Sequence, residues 1–239
     1  MDLSRNWLIS DDTQKKIENC TLLLAGCGLG AVVAETAIRV GFRNFILIDG
    51  DRVELSNLNR PPFQRFHLQR NKAEVTEEII HSINPEAKVE VIPHFLGPDE
   101  EMLRPLVERA DIIVNTIDPD EALWRLEKVA RHYEKPTLHP MNAGWYSFVF
   151  FSSPKDPPLE KLLGGKCYGF EFYQRLAALA PEISLPSHVM NKLDKLAKGE
   201  LPVPQVAPVA MTTASLIVTT IIKWLENGKL DENPVVRKL

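Results

Sequence analysis

The chain has 239 residues, room for one sizeable α/β domain and slightly too little for two independent ones. Its 44% hydrophobic and 25% charged content are those of an ordinary globular protein, and a net charge of -4 argues against a general nucleic-acid binder, which needs a basic face. Apolar runs stay short of the roughly 18 residues a membrane span needs, and MDLSRNWLISDD lacks a signal-peptide core, so the sequence reads as cytoplasmic with no membrane partner.

In chain order, CTLLLAG is a continuous apolar strand of the kind buried on both faces of a parallel sheet. GAVVAETAIRVG follows as a helix stopped by Gly41, and NFILID is the second strand. NKAEVTEEIIHSINP is a helix closed at Asn84 and Pro85, with KVEVIPHF a strand after it. PDEEMLRPLVERA is a helix with Pro98 near its start, expected to kink at Pro105. DIIVNTID is a strand ending at Asp118, PDEALWRLEKVARHYE its helix, PTLHPMN a fifth strand, and WYSFVFFS an antiparallel extension.

Strands alternating with helices predict a doubly wound, mainly parallel Rossmann-like sheet whose ligands lie beyond the strands' carboxyl ends. The division expected is a nucleotide-binding core over 1–140, an antiparallel strand over 141–153, a crossover or cap segment over 154–206 and a buried helix over 207–228, all within one domain. Residues 154–208 carry eight prolines, but the aromatic residues Tyr168, Phe170, Phe172 and Tyr173 mark a folded cap and not a linker. APVAMTTASLIVTTIIKWLENGK is apolar nearly all round and capped by Gly228, so it is expected to be buried in the protein or between subunits.

Gly26, Gly28 and Gly30 at a strand–helix junction bare backbone N–H groups where the helix dipole favours an anion, which points to phosphate binding. Asp49 and Asp51 close the second strand, where a carboxylate can take both ribose hydroxyls. To that point a dehydrogenase fits equally well. Asn57, Asn59 and Arg60 follow at once, and Lys72 opens the next helix. Two cations are more than a dinucleotide's diester needs and suit a triphosphate undergoing phosphoryl chemistry. Asp118 can hold Mg²⁺ with phosphates or cap the helix after Pro119, with Asp120 helping the helix dipole. His139, at the fifth strand's carboxyl end, is read as a structural histidine facing the cleft, with substrate binding or base catalysis the second option.

These pieces, with LSRNWL near the start, KAEV…INP, the aspartate of TID and PVAMTTASLIVTTIIKWL at the end, resemble the ThiF/MoeB-type adenylyltransferases, relatives of the ubiquitin-activating enzymes. The resemblance implies ATP-dependent adenylation with release of pyrophosphate, usually of the C-terminal glycine of a ubiquitin-like or sulfur-carrier protein. By position it implies Asp51 on the ribose with Asp49 beside it, Asn57, Arg60 and Lys72 on the phosphates, and Asp118 on Mg²⁺. Arg5 falls where such proteins reach into a partner subunit's ATP site, and a homodimer is implied.

The chain also departs from that pattern. Ala25 and Cys27 stand where glycine is usual, so their Cβ atoms are expected to crowd the phosphates, and Pro61 replaces a glutamine. The paired Cys-x-x-Cys of a structural zinc site are absent, so no zinc is expected. No cysteine precedes the last helix, which leaves Cys167 as the one candidate thiol nucleophile, while Cys20 and Cys27 read as small core residues. Three alternatives stay open: modification of a small peptide or a tRNA-borne carboxylate, a low-activity nucleotide-binding partner subunit, and an oxidoreductase. Acceptor choice is assigned to the 154–206 segment, where the resemblance is poorest.

Overall fold

The computed structural model describes all 239 residues. Its seven strands form one sheet in the order β3-β2-β1-β4-β5-β6-β7. In the chain they are β1 (Thr21–Ala25), β2 (Asn44–Ile48), β3 (Lys88–Ile92), β4 (Ile112–Asn115), β5 (Thr137–Ala143), β6 (Tyr146–Ser152) and β7 (Val235–Lys238). The first five are parallel; β6 runs antiparallel to β5, and β7 antiparallel to β6. The doubly wound, mainly parallel sheet with its antiparallel extension is therefore as expected.

Side chains alternate along each strand, so the sheet buries two separate cores. Leu22 and Leu24 face α1 (Asp11–Asn19), α2 (Leu29–Val40), α3 (Lys72–Ile83) and the long helix 207–227, in a cluster that includes Ile17, Ile38, Ile80 and Ile217. Leu23 and Ala25 face α4 (Leu103–Arg109) and α5 (Glu121–His132), through Leu106, Val107, Leu126 and Val129. A third cluster joins α5 and β6 to the cap through Trp124, Phe148, Phe172 and Leu176. The cap consists of α6 (Leu159–Leu162), α7 (Gly169–Ala177), α8 (Ser187–Met190) and α9 (Leu193–Ala197); α10 (Ala207–Asn227) follows it.

Several elements differ from the sequence pattern for local reasons. Helix α1 is missing from it because only Thr13 and Ile17 are buried, too few for a visible stripe, although Ser10 caps the helix by accepting the Thr13 N–H. Helix α4 starts at Leu103, not near Pro98, and Pro105 sits in its first turn, where the missing N–H costs no helical bond and produces no kink. Strand β4 stops at Asn115, which leaves Asp118 in the loop beyond it.

Helix α10 has the length and mean hydropathy of a membrane span, 21 residues with hydropathy 1.4, although no single apolar run is that long. It packs against α2, β5 and β6 instead. Its burial is incomplete: Met211, Ser215, Thr219 and Lys223 form an exposed stripe at four-residue spacing. Strand β7 was invisible in the pattern, being four residues long, and Asn233 holds it in place by bonding both the N–H and the carbonyl of Phe151.

Candidate functional site

The crevice lies where the strand order reverses, between β1 and β4, beyond their carboxyl ends. The loop from β1 to α2 passes under Thr116. At Gly26 (φ +89°) an added Cβ would sit 2.7 Å from Thr116 Oγ1 and 2.8 Å from its carbonyl oxygen, so no side chain fits there. The Thr116 hydroxyl has the Ala25 and Gly26 carbonyl oxygens as acceptors at 2.9 and 2.8 Å. Gly28 is different: a Cβ there would meet nothing within 4 Å, and α2 starts from it without a side-chain cap. The helix N-terminus with its unpaired N–H groups is thus bare on the crevice side. Gly30 is buried in the helix's first turn and does not line the crevice.

Asp49, buried at the end of β2, accepts the Cys27 N–H at 2.6 Å and the Asp51 N–H at 2.7 Å. Burial raises its carboxyl above the ordinary range, opposed by those two N–H groups and by Lys72. One N–H of the glycine loop is therefore taken by the protein itself. Asp51 stays exposed and pairs with Lys72 Nζ at 2.9 Å; the stem of Lys72 is largely buried, 12% exposed. Lys72 is held in place as the first residue of α3, whose cap Asn71 also donates to the Asp49 carbonyl oxygen.

Arg60 has no carboxylate partner. It donates to Asn59 Oδ1 at 2.8 Å, and burial holds its guanidinium below the usual value. Asn59 in turn donates to the Gln205 carbonyl oxygen at 2.8 Å, which ties this turn to the end of the cap. Asn57 accepts the Glu54 N–H at 2.9 Å and lies outside the crevice lining.

Asp118 opens into the crevice, and its carboxylate has no hydrogen bond or ion pair. Loss of water raises its carboxyl first, then Asp51 and Asp120, with Lys72 opposing. Asp120, and not Asp118, caps α5, accepting the Ala122 and Leu123 N–H groups. Nowhere do three His, Cys, Asp or Glu side chains converge as a metal cage. An unpartnered carboxylate beside two others nevertheless fits a Mg²⁺ ion that arrives with phosphates, because such an ion needs only one or two protein carboxylates.

All of this opens into one cavity of about 1140 Å³, lined by 42 residues. Half of them, from Gly26 to Arg125, include eight charged side chains; the other half, from His139 to Gln205, include none. The cap closes the second half. Gly169 N–H bonds the Pro119 carbonyl oxygen, Ser184 Oγ lies 3.1 Å from Tyr146 Oη, and a Cβ on Gly144 would stand 3.1 Å from Leu185. Tyr173 of α7 lies near Asp118, its phenol pushed up to about 12 by burial and by that carboxylate.

Of the residues singled out in the sequence, the structure gathers Gly26, Gly28, Asp49, Asp51, Arg60, Lys72 and Asp118 around this cavity. Gly30 and Asn57 stand behind it, and Arg5 lies exposed on the N-terminal turn with no ion pair. Ala25 and Cys27 do not crowd the cavity: both side chains are fully buried, in the cores on opposite faces of the sheet. Cys167 is buried beneath Trp124, whose Nε1 donates to its carbonyl oxygen, and burial pushes its thiol up, which disfavours the reactive thiolate.

His139 is only half accounted for. Its Nε2 lies 3.0 Å from Glu127 Oε2, with Ser152 Oγ donating to the other carboxylate oxygen, while Nδ1 is buried without a partner. Burial acts to raise the Glu127 carboxyl, but the bonds to His139 and Ser152, with Arg131 nearby, hold it below the usual range. Sequence reasoning missed Thr116, Tyr173 and Glu127, which carry no motif and acquire meaning only through what the fold sets beside them.

The ThiF family model matches residues 3–238. Molybdopterin-synthase adenylyltransferase of Haemophilus influenzae is 31% identical over 132 residues, 53% of this chain and 52% of that protein. Ubiquitin-like modifier-activating enzyme 5 of Rattus norvegicus is 37% identical over 92 residues, 38% of this chain and 22% of that protein. The chain thus spans from about a fifth to about half of the length of these relatives. Among solved structures, PaaA superposes with a TM-score of 0.70 at 18% identity, covering 98% of this chain and 79% of that one. Escherichia coli MccB, crystallised with AMPCPP and MccA, gives 0.68 at 22% identity, covering 95% and 65%. At such identities the likeness is one of fold.

Proposed function

The chain belongs to the ThiF family, and from that premise we propose that it is an ATP-dependent adenylyltransferase. It activates the C-terminal carboxylate of a small ubiquitin-like or sulfur-carrier protein as an acyl-adenylate. A carboxylate oxygen attacks the α-phosphorus, the bond from that phosphorus to the bridging oxygen breaks, and pyrophosphate leaves with the electron pair. The observation that carries the reading is the two-part cavity. A charged half holds the bare helix N-terminus, Asp51, Arg60, Lys72 and Asp118; a chargeless half beside it has room for a second molecule.

In this reading Asp51 takes the ribose hydroxyls, and Lys72, now paired with Asp51, turns its charge to the phosphates together with Arg60. The bare start of α2 at Gly28 meets phosphate oxygens. Asp49 holds the glycine loop against β2, and Gly30 and Asn57 support that loop and the turn behind Arg60. Asp118 would hold Mg²⁺, which supplies charge compensation on the phosphates when bound. Protein catalysis is then positioning and charge stabilisation, with no protein nucleophile needed. Arg5, exposed and unpaired, is assigned to the ATP site of a second copy in a homodimer.

A second reading replaces the protein acceptor by a short peptide. It is favoured by the cap, whose ties to Pro119, Tyr146 and Asn59 roof the acceptor half, and by the burial of all three cysteines. A tRNA-borne carboxylate fits less well, because the acceptor half offers no cation for neighbouring phosphates. The test is product analysis with hydroxylamine present to trap activated carboxylates. AMP, pyrophosphate and a hydroxamate are expected; ADP and phosphate would defeat the reading, since the wrong bond would have been cut.

A further inference from the structure

The chargeless half of the cavity says more about the acceptor than its being a carboxylate. Its wall from the cap is built of Phe170, Tyr173, Leu185, Val189, Met190 and Leu193, with no Asp, Glu, Lys or Arg among the 21 residues from His139 to Gln205. A tail ending in glycines would leave these surfaces wet, because it has no side chain to cover them, and burying apolar area is the main source of affinity such a surface offers. A charged terminal side chain would lose its water with nothing to pair it.

Resting on the adenylation reading in its peptide form, we propose that the acceptor is a peptide-like carboxylate whose terminal residue bears a large apolar side chain. That side chain fills the cap half.

The test uses the full chain with ATP, Mg²⁺ and hydroxylamine, and N-acetylated peptides of one length that differ only in a last residue of Leu, Phe, Gly or Asp. The same endings are placed on a flexible protein tail to separate a free peptide from a protein as the source. Leu or Phe endings are expected to exceed Gly by about tenfold or more in kcat/KM for pyrophosphate release, with Asp lowest. A Gly ending used as well as Leu, on peptide or protein, overturns the inference and leaves adenylation standing. No pyrophosphate with any acceptor removes the adenylation reading, and this inference with it.

Discussion

The two halves of the cavity are built in different ways. The charged half rests on strand ends and helix starts: Gly26 at the end of β1, Asp49 and Asp51 after β2, Lys72 at the head of α3, Asp118 between β4 and α5. Asp49, Asp51 and Lys72 are already tied, Asp49 to the Cys27 N–H and Lys72 to Asp51, while Asp118 is left open. The chargeless half sets the end of β5 against short helices and proline turns that lack a ladder of their own. These are held to the core by the Trp124 and Phe172 cluster and by bonds such as Ser184 to Tyr146 and Asn59 to Gln205. A rigid half suits a ligand whose charge must be met at fixed points. A wall of short helices and loops is where one family member can come to differ from another.

Substitutions should separate the halves. The largest effect is expected for Lys72→Ala, with pyrophosphate release reduced about a hundredfold or more whatever the acceptor and little change in Tm; equal turnover would remove Lys72 from the chemistry. Next is Gly26→Ala, where a Cβ must enter the space of Thr116 at positive φ. About 1–3 kcal/mol of stability should go, and ATP affinity with it, read by denaturant melts and by calorimetry.

In the other half, Val189→Asp should raise KM for the acceptor about tenfold while KM for ATP stays put, because the new charge faces only the acceptor wall. A parallel rise in both constants would show that the halves are not independent. The smallest effect belongs to Glu127. Its carboxyl is held below the usual range, so its contribution to stability is fully present above the ordinary glutamate value of about 4.3 and is lost as pH falls through the folded value. Acid titration of Tm should therefore be shallower in Glu127→Gln; an unchanged slope would mean that the His139 pair carries no linkage.

Much of the charged half was legible without coordinates, because each of its groups sits within a few residues of a strand end. Local rules say where a strand stops and a helix starts, and the backbone there points to the ligand. Even so, local rules could not tell Asp49 from Asp51. Two aspartates two residues apart look alike in a string, and only the approach of Cys27 N–H shows which one the loop occupies. The same holds for Ala25 and Cys27, suspected of crowding a phosphate until the sheet turned their side chains into the cores.

By itself the sequence determined the order of strands and helices from β1 to β6, the glycine turn, and the charges gathered at the mouths of β1, β2 and β4, since these follow from periodicity and from residues near in the chain. Only the tertiary structure decided which carboxylate is already engaged, that Cys167 is sealed, and that Leu185, Val189 and His139 share a wall with Asp118. Those facts depend on segments dozens of residues apart meeting, and such meetings are set by how whole helices and strands pack. No short stretch of sequence carries that information.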